Sequence, residues 1–266
     1  MEQLFVNKII QFGQNAGGEV LSGILLVILY IIILFLWKYY SKEGLYLYNI
    51  LAIIVANIQV LKVTPFWLSP EPVALGTLLF ATTFLVSDIL TEHYGIEVAH
   101  QGIKLSFMAQ IIMTILMLIT AAYPSPGGIT GIAADKTMID SVQAGLYTLF
   151  APSIRILAAS LIAYYISQWV DIKIFKYLKN YTNKKLLWLR VNVSTLLSGL
   201  LDNILFSLFA WVIFSPAPVS VQSLIFTYIL GTYVARVVVS ITSTPIIYLS
   251  YKFFPREIKC HSPLNS

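Results

Sequence analysis

Charged residues are scarce in this sequence: only 11% of its 266 residues are Asp, Glu, Lys or Arg, whereas 58% are hydrophobic. An ordinary soluble domain carries about 25% charged residues. The mean hydropathy of +0.81 leaves too little polar surface for a soluble globular protein. We therefore expect an integral membrane protein.

Patterns that would indicate an enzyme, a metal site or an ATP-driven pump are also missing. The single cysteine, Cys260, excludes an intrachain disulfide and a cysteine metal cluster. The three histidines show neither HxxxH nor HExxH spacing. Because the sequence has no GxxxxGKS/T, GxSxG or GxGD motif, we expect no ATP hydrolysis, no intramembrane catalysis and no cofactor.

What the chain has instead is a series of apolar runs, each close to the roughly 20 residues that a bilayer core requires. Short polar breaks separate seven runs, at residues 20–36, 45–61, 73–90, 102–123, 145–170, 191–214 and 222–248. We predict an all-α, polytopic bundle of about seven transmembrane helices, in one domain at residues 1–266. The first run lacks the positively charged start of a signal peptide, so we interpret it as a retained helix.

Positive charge predicts the orientation of this bundle. Twelve Lys and Arg residues fall in connections on one side of the membrane, and three fall on the other. The twelve are Lys38, Lys42, Lys104, Lys173, Lys176, Lys179, Lys184, Lys185, Arg190, Lys252, Arg256 and Lys259. The positive-inside rule then places the N-terminus outside and the C-terminus in the cytoplasm. The net charge of +5 reflects topology and contact with the lipid bilayer, and we expect no nucleic-acid partner.

The connection at residues 124–144 begins with PSPGGITG, a run of turn-forming residues that is not typical of a helix. We expect it to link the fourth and fifth runs on the outside. The sequence leaves open whether it covers an outward cavity as a lid or extends into solvent.

Three ionisable residues lie well inside the runs: Arg155, Asp202 and Arg236. An ionised group at such a depth is costly and must face protein, a partner or water. Two interpretations are compatible with one another. Asp202 and Arg236 could form an ion pair that holds two helices together, and these groups could line a central polar cavity for a solute.

The segment at residues 87–95, SDILTEHYG, places two carboxyl groups and a histidine at the end of the third run. Asp88 and Glu92 are four residues apart, so they share a helix face if the helix persists. Their predicted place near the cytoplasmic end suits interfacial acids or a functional site. Gly95 predicts the end of this helix.

Residues 84–88 (FLVSD), Thr91-Glu92 and Tyr94-Gly95 resemble the signature of the queuosine precursor transporter family, also called the vitamin uptake transporter family. Further matches follow in order: Asn57 with Lys62, Arg155, Gln168, Asp171, Ser194-Thr195, Asp202, Phe206, Ser240, Pro245 and Tyr248. The resemblance covers residues 45–251, a six-helix family core. Residues 1–44 then form an additional N-terminal helix and 252–266 a cytoplasmic tail. The family commonly has Lys where this chain has Arg236.

The resemblance implies a multi-pass importer in the cell (inner) membrane for a 7-deazaguanine base used in tRNA modification, namely a queuosine precursor or queuine. A guanine-like edge presents N–H donors beside a carbonyl acceptor, so a carboxylate and a cationic or amide donor complement it. We predict that Asp202, or Asp88 with Glu92, takes the carboxylate role. The other predicted contacts are Arg155, Arg236 or Asn203 for the carbonyl, Phe84, Phe206 or Tyr233 for stacking, and Asn57 as a further polar contact.

The sequence leaves energy coupling open. It is compatible with a secondary carrier, proton-coupled through Asp88, Glu92 or Asp202, and with a facilitator. It is also compatible with a substrate-binding membrane subunit that needs a separate ATPase energy-coupling module. Small residues in the spans suit intramolecular packing and a homodimer equally, so the oligomeric state is open too.

Overall fold

The structure is a computed structural model that describes residues 2–66, 69–124, 136–150 and 154–253. Within these ranges the chain is almost entirely helical. Its α-helices are α1 (Glu2–Ala16), α2 (Gly18–Gln59), α3 (Gly76–His93), α4 (Ile96–Ala122), α5 (Lys136–Phe150), α6 (Ile154–Tyr181), α7 (Leu187–Leu208), α8 (Val221–Ser223) and α9 (Thr232–Lys252). Two π-helical segments, Phe209–Ile213 and Leu224–Gly231, follow α7 and precede α9. The predicted all-α class is confirmed, with one short β-hairpin added.

Four helical stretches are long and apolar enough to cross a membrane: Gly18–Gln59, Ile96–Ala122, Leu187–Ile213 and Val221–Lys252. A fifth results if Ile139–Phe150 and Arg155–Tyr181, which meet at a 41° bend, are counted together. The described residues thus hold four or five candidate spans, where the sequence shows seven apolar runs. The difference comes from α2, which joins two of the runs, and from α3, which ends with the charged and polar residues Asp88, Glu92 and His93.

Helix α2 joins the first two predicted runs, but it is not straight. Ser41 has φ 52° and ψ −136°, which breaks the helix at that residue. A Cβ added at Gly44 would lie 2.5 Å from the Leu36 carbonyl oxygen. Residues eight apart in a straight helix are about 12 Å apart, so the chain folds sharply at Ser41.

Contacts with other helices show in which direction each half of α2 runs along the bundle. In the first half, Trp37 Nε1 donates to the Ser250 carbonyl oxygen at 2.9 Å, near the end of α9. In the second half, the Tyr48 hydroxyl lies 2.7 Å from the Thr82 hydroxyl, in the first part of α3. The second half therefore runs back along the bundle after Ser41.

Helix α3 lies at the centre of the bundle, and fourteen of its eighteen residues are buried. Neighbouring helices surround it, so its polar side chains meet protein instead of lipid. This explains how a helix that carries Thr82, Thr83, Ser87 and Asp88 fits in a membrane protein. Gly95, with φ 95°, separates α3 from α4, which confirms the predicted helix end.

A β-hairpin that the sequence did not predict connects α2 to α3. Strand β1 (Val63–Phe66) pairs antiparallel with β2 (Ser69–Ala74). A Cβ at Gly76 would lie 2.3 Å from the Ala56 carbonyl oxygen, so the glycine permits close contact between α2 and α3. We call this side of the bundle the hairpin end. The opposite side, where Glu92 meets Lys179 and Arg190, is the basic end.

Two sequence-based predictions concern residues that the structure does not describe. Residues 125–135 of the predicted 124–144 connection lie outside the described residues, whereas Lys136–Phe150 form α5. Cys260 lies outside the described residues as well.

Candidate functional site

A cavity of ≈ 380 Å³ lies between the helices toward the hairpin end. This volume is within the range of small-molecule sites. Its wall mixes polar groups with aromatic rings and small residues: Asn57, Val60, Val63, Ala74, Thr77, Phe80, Ile156, Ser160, Ala163, Asp202, Asn203, Phe206, Ser207, Trp211, Tyr228, Thr232 and Arg236.

An ion pair between α7 and α9 contributes the charged part of the wall. Arg236 Nη2 donates to Asp202 Oδ2, which confirms the pair expected from the sequence. Ser167 on α6 donates to the other carboxylate oxygen at 2.9 Å. Both oxygens of Asp202 are therefore held, and three helices meet at this carboxylate.

Arg236 has hydrogen-bonding capacity that the described residues do not use. Its Nε and Nη1 atoms are buried and have no partner among the described residues. The guanidinium carbon lies 6.0 Å from the centroid of the Phe84 ring. Unsatisfied buried donors are costly, so an acceptor on a bound molecule would lower the free energy of this site.

Two amide side chains line the cavity and also fix its walls. Asn203 Nδ2 donates to the Ile229 carbonyl oxygen at 3.2 Å and to the Thr232 hydroxyl at 3.0 Å. Asn57 Nδ2 donates to the Ile53 carbonyl oxygen at 2.9 Å. Asn203 thus joins α7 to the π-helical segment before α9.

The two π-helical segments bring aromatic rings to the cavity. Trp211 lies in the first segment and Tyr228 in the second, and their ring centroids are 4.9 Å apart. A π-helix alters the angular position of the residues that follow it, and such segments are frequent at functional sites. Phe206, a predicted stacking residue, lines the cavity as well.

A polar layer lies one helical turn below the ion pair, toward the basic end. Ser198 on α7 donates to Asp171 Oδ1 at 2.7 Å. Thr195 on α7 is 3.5 Å from Asp88 Oδ2. Asp88 and Asp171 are both fully buried, and neither lines the cavity.

Sequence reasoning assigned no role to Asp171 beyond the family resemblance. A signal was present: Ser160, Ser167 and Asp171 recur at helical spacing along one face of α6. Gln168 extends this polar face, since it accepts a hydrogen bond from Ser87 at 2.7 Å and donates one to Thr83 at 2.7 Å.

Glu92 belongs to a separate cluster at the basic end. Arg190 Nη2 donates to its carboxylate at 2.7 Å, Lys179 Nζ lies 3.2 Å from it, and the Tyr251 hydroxyl donates to it. Four helices, α3, α6, α7 and α9, therefore meet at Glu92. The carboxylate does not line the cavity.

The structure brings Asn57, Asp202, Asn203, Phe206 and Arg236 together around the cavity. The other predicted site residues lie elsewhere. Phe84 is buried beside Arg236, and the Tyr233 hydroxyl donates to the Leu196 carbonyl oxygen at 3.0 Å. Arg155 is exposed in the first turn of α6.

Comparison with known proteins agrees with the family resemblance found in the sequence. The sequence model of a family described as "Putative vitamin uptake transporter" matches residues 74–250. A curated protein of Bacillus subtilis (strain 168), named "Probable queuosine precursor transporter", is 29% identical over 232 residues. The alignment covers 87% of this chain and 93% of that protein. No solved structure matches the chain.

Proposed function

The chain belongs to the vitamin uptake transporter family, and on that basis we propose that it imports a 7-deazaguanine base, a queuosine precursor or queuine. Membership of this family, together with several apolar helices, makes it a multi-pass membrane protein. The name of the related Bacillus subtilis protein supports a queuosine precursor, and the wider class of 7-deazaguanine bases follows from the family resemblance in the sequence. The substrate class is a proposal for this chain.

The main structural support for this proposal is the Asp202–Arg236 pair in the cavity wall. A 7-deazaguanine base has a flat, guanine-like edge with N–H donors next to a carbonyl oxygen. The carboxylate of Asp202 accepts the N–H groups, and the side chain of Arg236, which lines the cavity, donates to the carbonyl. Neither Asp88 nor Glu92 contributes to the cavity wall, so the carboxylate role goes to Asp202.

Aromatic rings in the wall suit the faces of such a base. Phe206 is the predicted stacking residue that lines the cavity, and Trp211 and Tyr228 extend the aromatic surface. Stacking of a base on an aromatic ring contributes about 1–3 kcal/mol. We assign the stacking role to these three residues.

We propose seven crossings for the bundle. They are the two halves of α2, then α3, α4, α5 with α6, α7 with its π-helical segment, and α8 through α9. The positive-inside rule places the basic end in the cytoplasm and the hairpin end outside. The cavity then faces outward, and the Glu92 cluster closes the cytoplasmic side.

Cells that can neither make nor import a queuosine precursor provide the test of this function. The gene is supplied, the cells are fed nanomolar amounts of each candidate base, and the queuosine content of tRNA is measured. Restoration by one base is expected, and Asp202→Asn should abolish it because the carboxylate acceptor is lost. Asp140→Asn, which changes an exposed carboxylate on α5, is the matched control. Near-normal uptake by Asp202→Asn, with equal amounts of protein in the membrane, would refute the assignment.

Purified protein in liposomes separates the two modes of operation left open by the sequence. A stand-alone carrier exchanges labelled for unlabelled base across the liposome membrane without any other protein. A substrate-binding subunit that needs an ATPase module binds the base but does not exchange it. We expect exchange.

A further inference from the structure

The polar layer below the cavity contains two neighbouring carboxyl groups. Asp88 on α3 and Asp171 on α6 are fully buried, and they meet hydroxyl groups three residues apart on α7, which brings the two carboxyl groups close together. One oxygen of each meets a hydroxyl group from α7, Thr195 or Ser198. The other two oxygens, Asp88 Oδ1 and Asp171 Oδ2, have no donor among the described residues.

The neighbouring charges do not neutralise this pair. Glu92 lies one turn farther along α3, and Asp202 lies one turn farther along α7 from Ser198, so both of these neighbours are acidic. Lys173, two residues after Asp171 on α6, is exposed and lies over the Trp169 ring. The cations near Glu92 and Asp202 are already bound. Arg190 and Lys179 contact Glu92, and Arg236 contacts Asp202.

Two neighbouring negative charges buried inside a membrane protein repel strongly, because little water is present to screen them. A proton on one of the two carboxyl groups removes one charge and supplies a donor where the described residues offer none. Two carboxyl groups that share a proton in this way titrate as one unit. The geometry of the pair therefore calls for one bound proton.

We propose that Asp88 and Asp171 form a proton-binding site, and that one proton enters the cell with each molecule of solute. This inference rests on the proposed transport function. The proton comes from the outside, forms an O–H bond with one carboxylate of the pair, and leaves to the cytoplasm when that bond breaks, so the pair returns to its starting state after each cycle. The site is distinct from the Asp202–Arg236 pair, which binds the solute.

Hydrogen bonds connect the proton site to the cavity. Ser167 on α6 donates to Asp202, and Asp171 follows Ser167 by one helical turn. Ser198 on α7 donates to Asp171, and Asp202 follows Ser198 by one turn. The carboxylate that binds solute and the pair that binds the proton thus share one α6–α7 interface. A movement of α6 against α7 changes both sites together.

The test uses the purified full-length chain in liposomes with the membrane potential clamped at zero. An inward gradient of one pH unit should drive about tenfold accumulation of labelled base if one proton moves with each neutral solute molecule. A pH-sensitive dye inside the liposomes should report acidification that depends on the base.

Asp171→Asn keeps the side-chain volume but replaces the shared proton with a fixed amide, so accumulation and acidification should be lost. Exchange of labelled for unlabelled base without a gradient should persist.

Asp140→Asn is the control and should behave as wild type. If Asp171→Asn also loses exchange, Asp88→Asn is judged by the same two measurements. Gradient-driven accumulation in either variant would overturn the assignment to this pair. Wild-type exchange that responds to a sodium gradient and not to a proton gradient would overturn proton coupling. Absence of exchange by the wild type with every 7-deazaguanine base would instead overturn the proposed function.

Discussion

Arg236 neutralises Asp202 in the cavity wall, and in the proposed site it also donates N–H groups to the base. Arg236→Lys keeps the positive charge but removes the planar fork of donors. We expect this variant to fold and to bind the base about tenfold more weakly, which corresponds to about 1.4 kcal/mol. Binding is measured by calorimetry on detergent-solubilised protein. The resemblance described above, in which Lys is common at this position, also favours retained transport.

Arg236→Met is the comparison variant, because it removes the positive charge and the N–H donors at once. It leaves the buried Asp202 carboxylate without a cation, and breaking a buried pair costs about 3–5 kcal/mol. A lower melting temperature should therefore accompany its loss of binding. Equal affinity of the Arg and Lys proteins would show that the N–H groups of Arg236 do not contact the ligand.

The Asp202–Arg236 pair was predictable because opposite charges near the middle of two consecutive spans need each other in an apolar environment. Arg155 also looked central, since the fifth predicted run begins at residue 145. The structure divides that run between α5 and α6, which puts Arg155 in the first turn of α6 and exposes it. The complete burial of Asp171 was missed because a carboxylate at the end of an apolar run resembles an ordinary interfacial acid.

The sharp fold in α2 depends on close contact at Gly44. A methyl group there would lie 2.5 Å from the Leu36 carbonyl oxygen. We expect Gly44→Ala to force the two halves of α2 apart and to destabilise the protein by about 1–3 kcal/mol. For a chain of this size, each kcal/mol lowers the melting temperature by about 2–4 °C.

Gly23→Ala on the same helix is the matched control, because no atom lies within 4 Å of an added Cβ at that position. Alanine is the better helix former, so this variant should melt at or slightly above the wild-type temperature. Equal melting temperatures for the two variants would mean that the close contact at Gly44 does not constrain the fold.

Helices were the predictable elements, since the length and apolar character of the runs set them directly. Their irregularities were predictable only in part. The break in α2 at Ser41 falls in the polar connection predicted between the runs 20–36 and 45–61, although neither glycine nor proline stands at that residue. The two π-helical segments lie in uninterrupted apolar sequence, so the placement of Trp211 and Tyr228 in the cavity depends on packing that no sequence pattern records.

The two ends of the bundle differ, since one is open to a cavity and the other is closed by ion pairs. The hairpin end contains the cavity, and the basic end is held by the contacts of Glu92 with Arg190, Lys179 and Tyr251. Glu92→Gln removes the charge that holds these helix ends together. We expect it to open the cavity toward the basic end, because Arg190, almost fully buried, loses its carboxylate.

Thiol labelling measures this opening. Cys260 is the only cysteine, so Cys260→Ser gives a background without thiols, and Thr77→Cys places one in the cavity wall. In inside-out vesicles, an impermeant reagent should label the cavity thiol several-fold faster when Glu92→Gln is present. Glu43→Gln, which changes an exposed acid that lies 3.8 Å from Lys42, is the control. Equal labelling of the two would show that the Glu92 cluster does not close the basic end.

The central position of α3 also affects how the protein is made. Ribosomes complete α3 well before α6 and α7, which carry Gln168, Asp171, Thr195 and Arg190, the partners of its polar side chains. In the proposed arrangement of seven crossings, a newly synthesised α3 meets the translocon with Asp88 and Glu92 unpaired, and it is not among the helices that are apolar enough to span a membrane alone. Its stable insertion must wait for the second half of the chain. The early helix α3 is therefore stabilised in the membrane only after the later helices α6 and α7 have been synthesised.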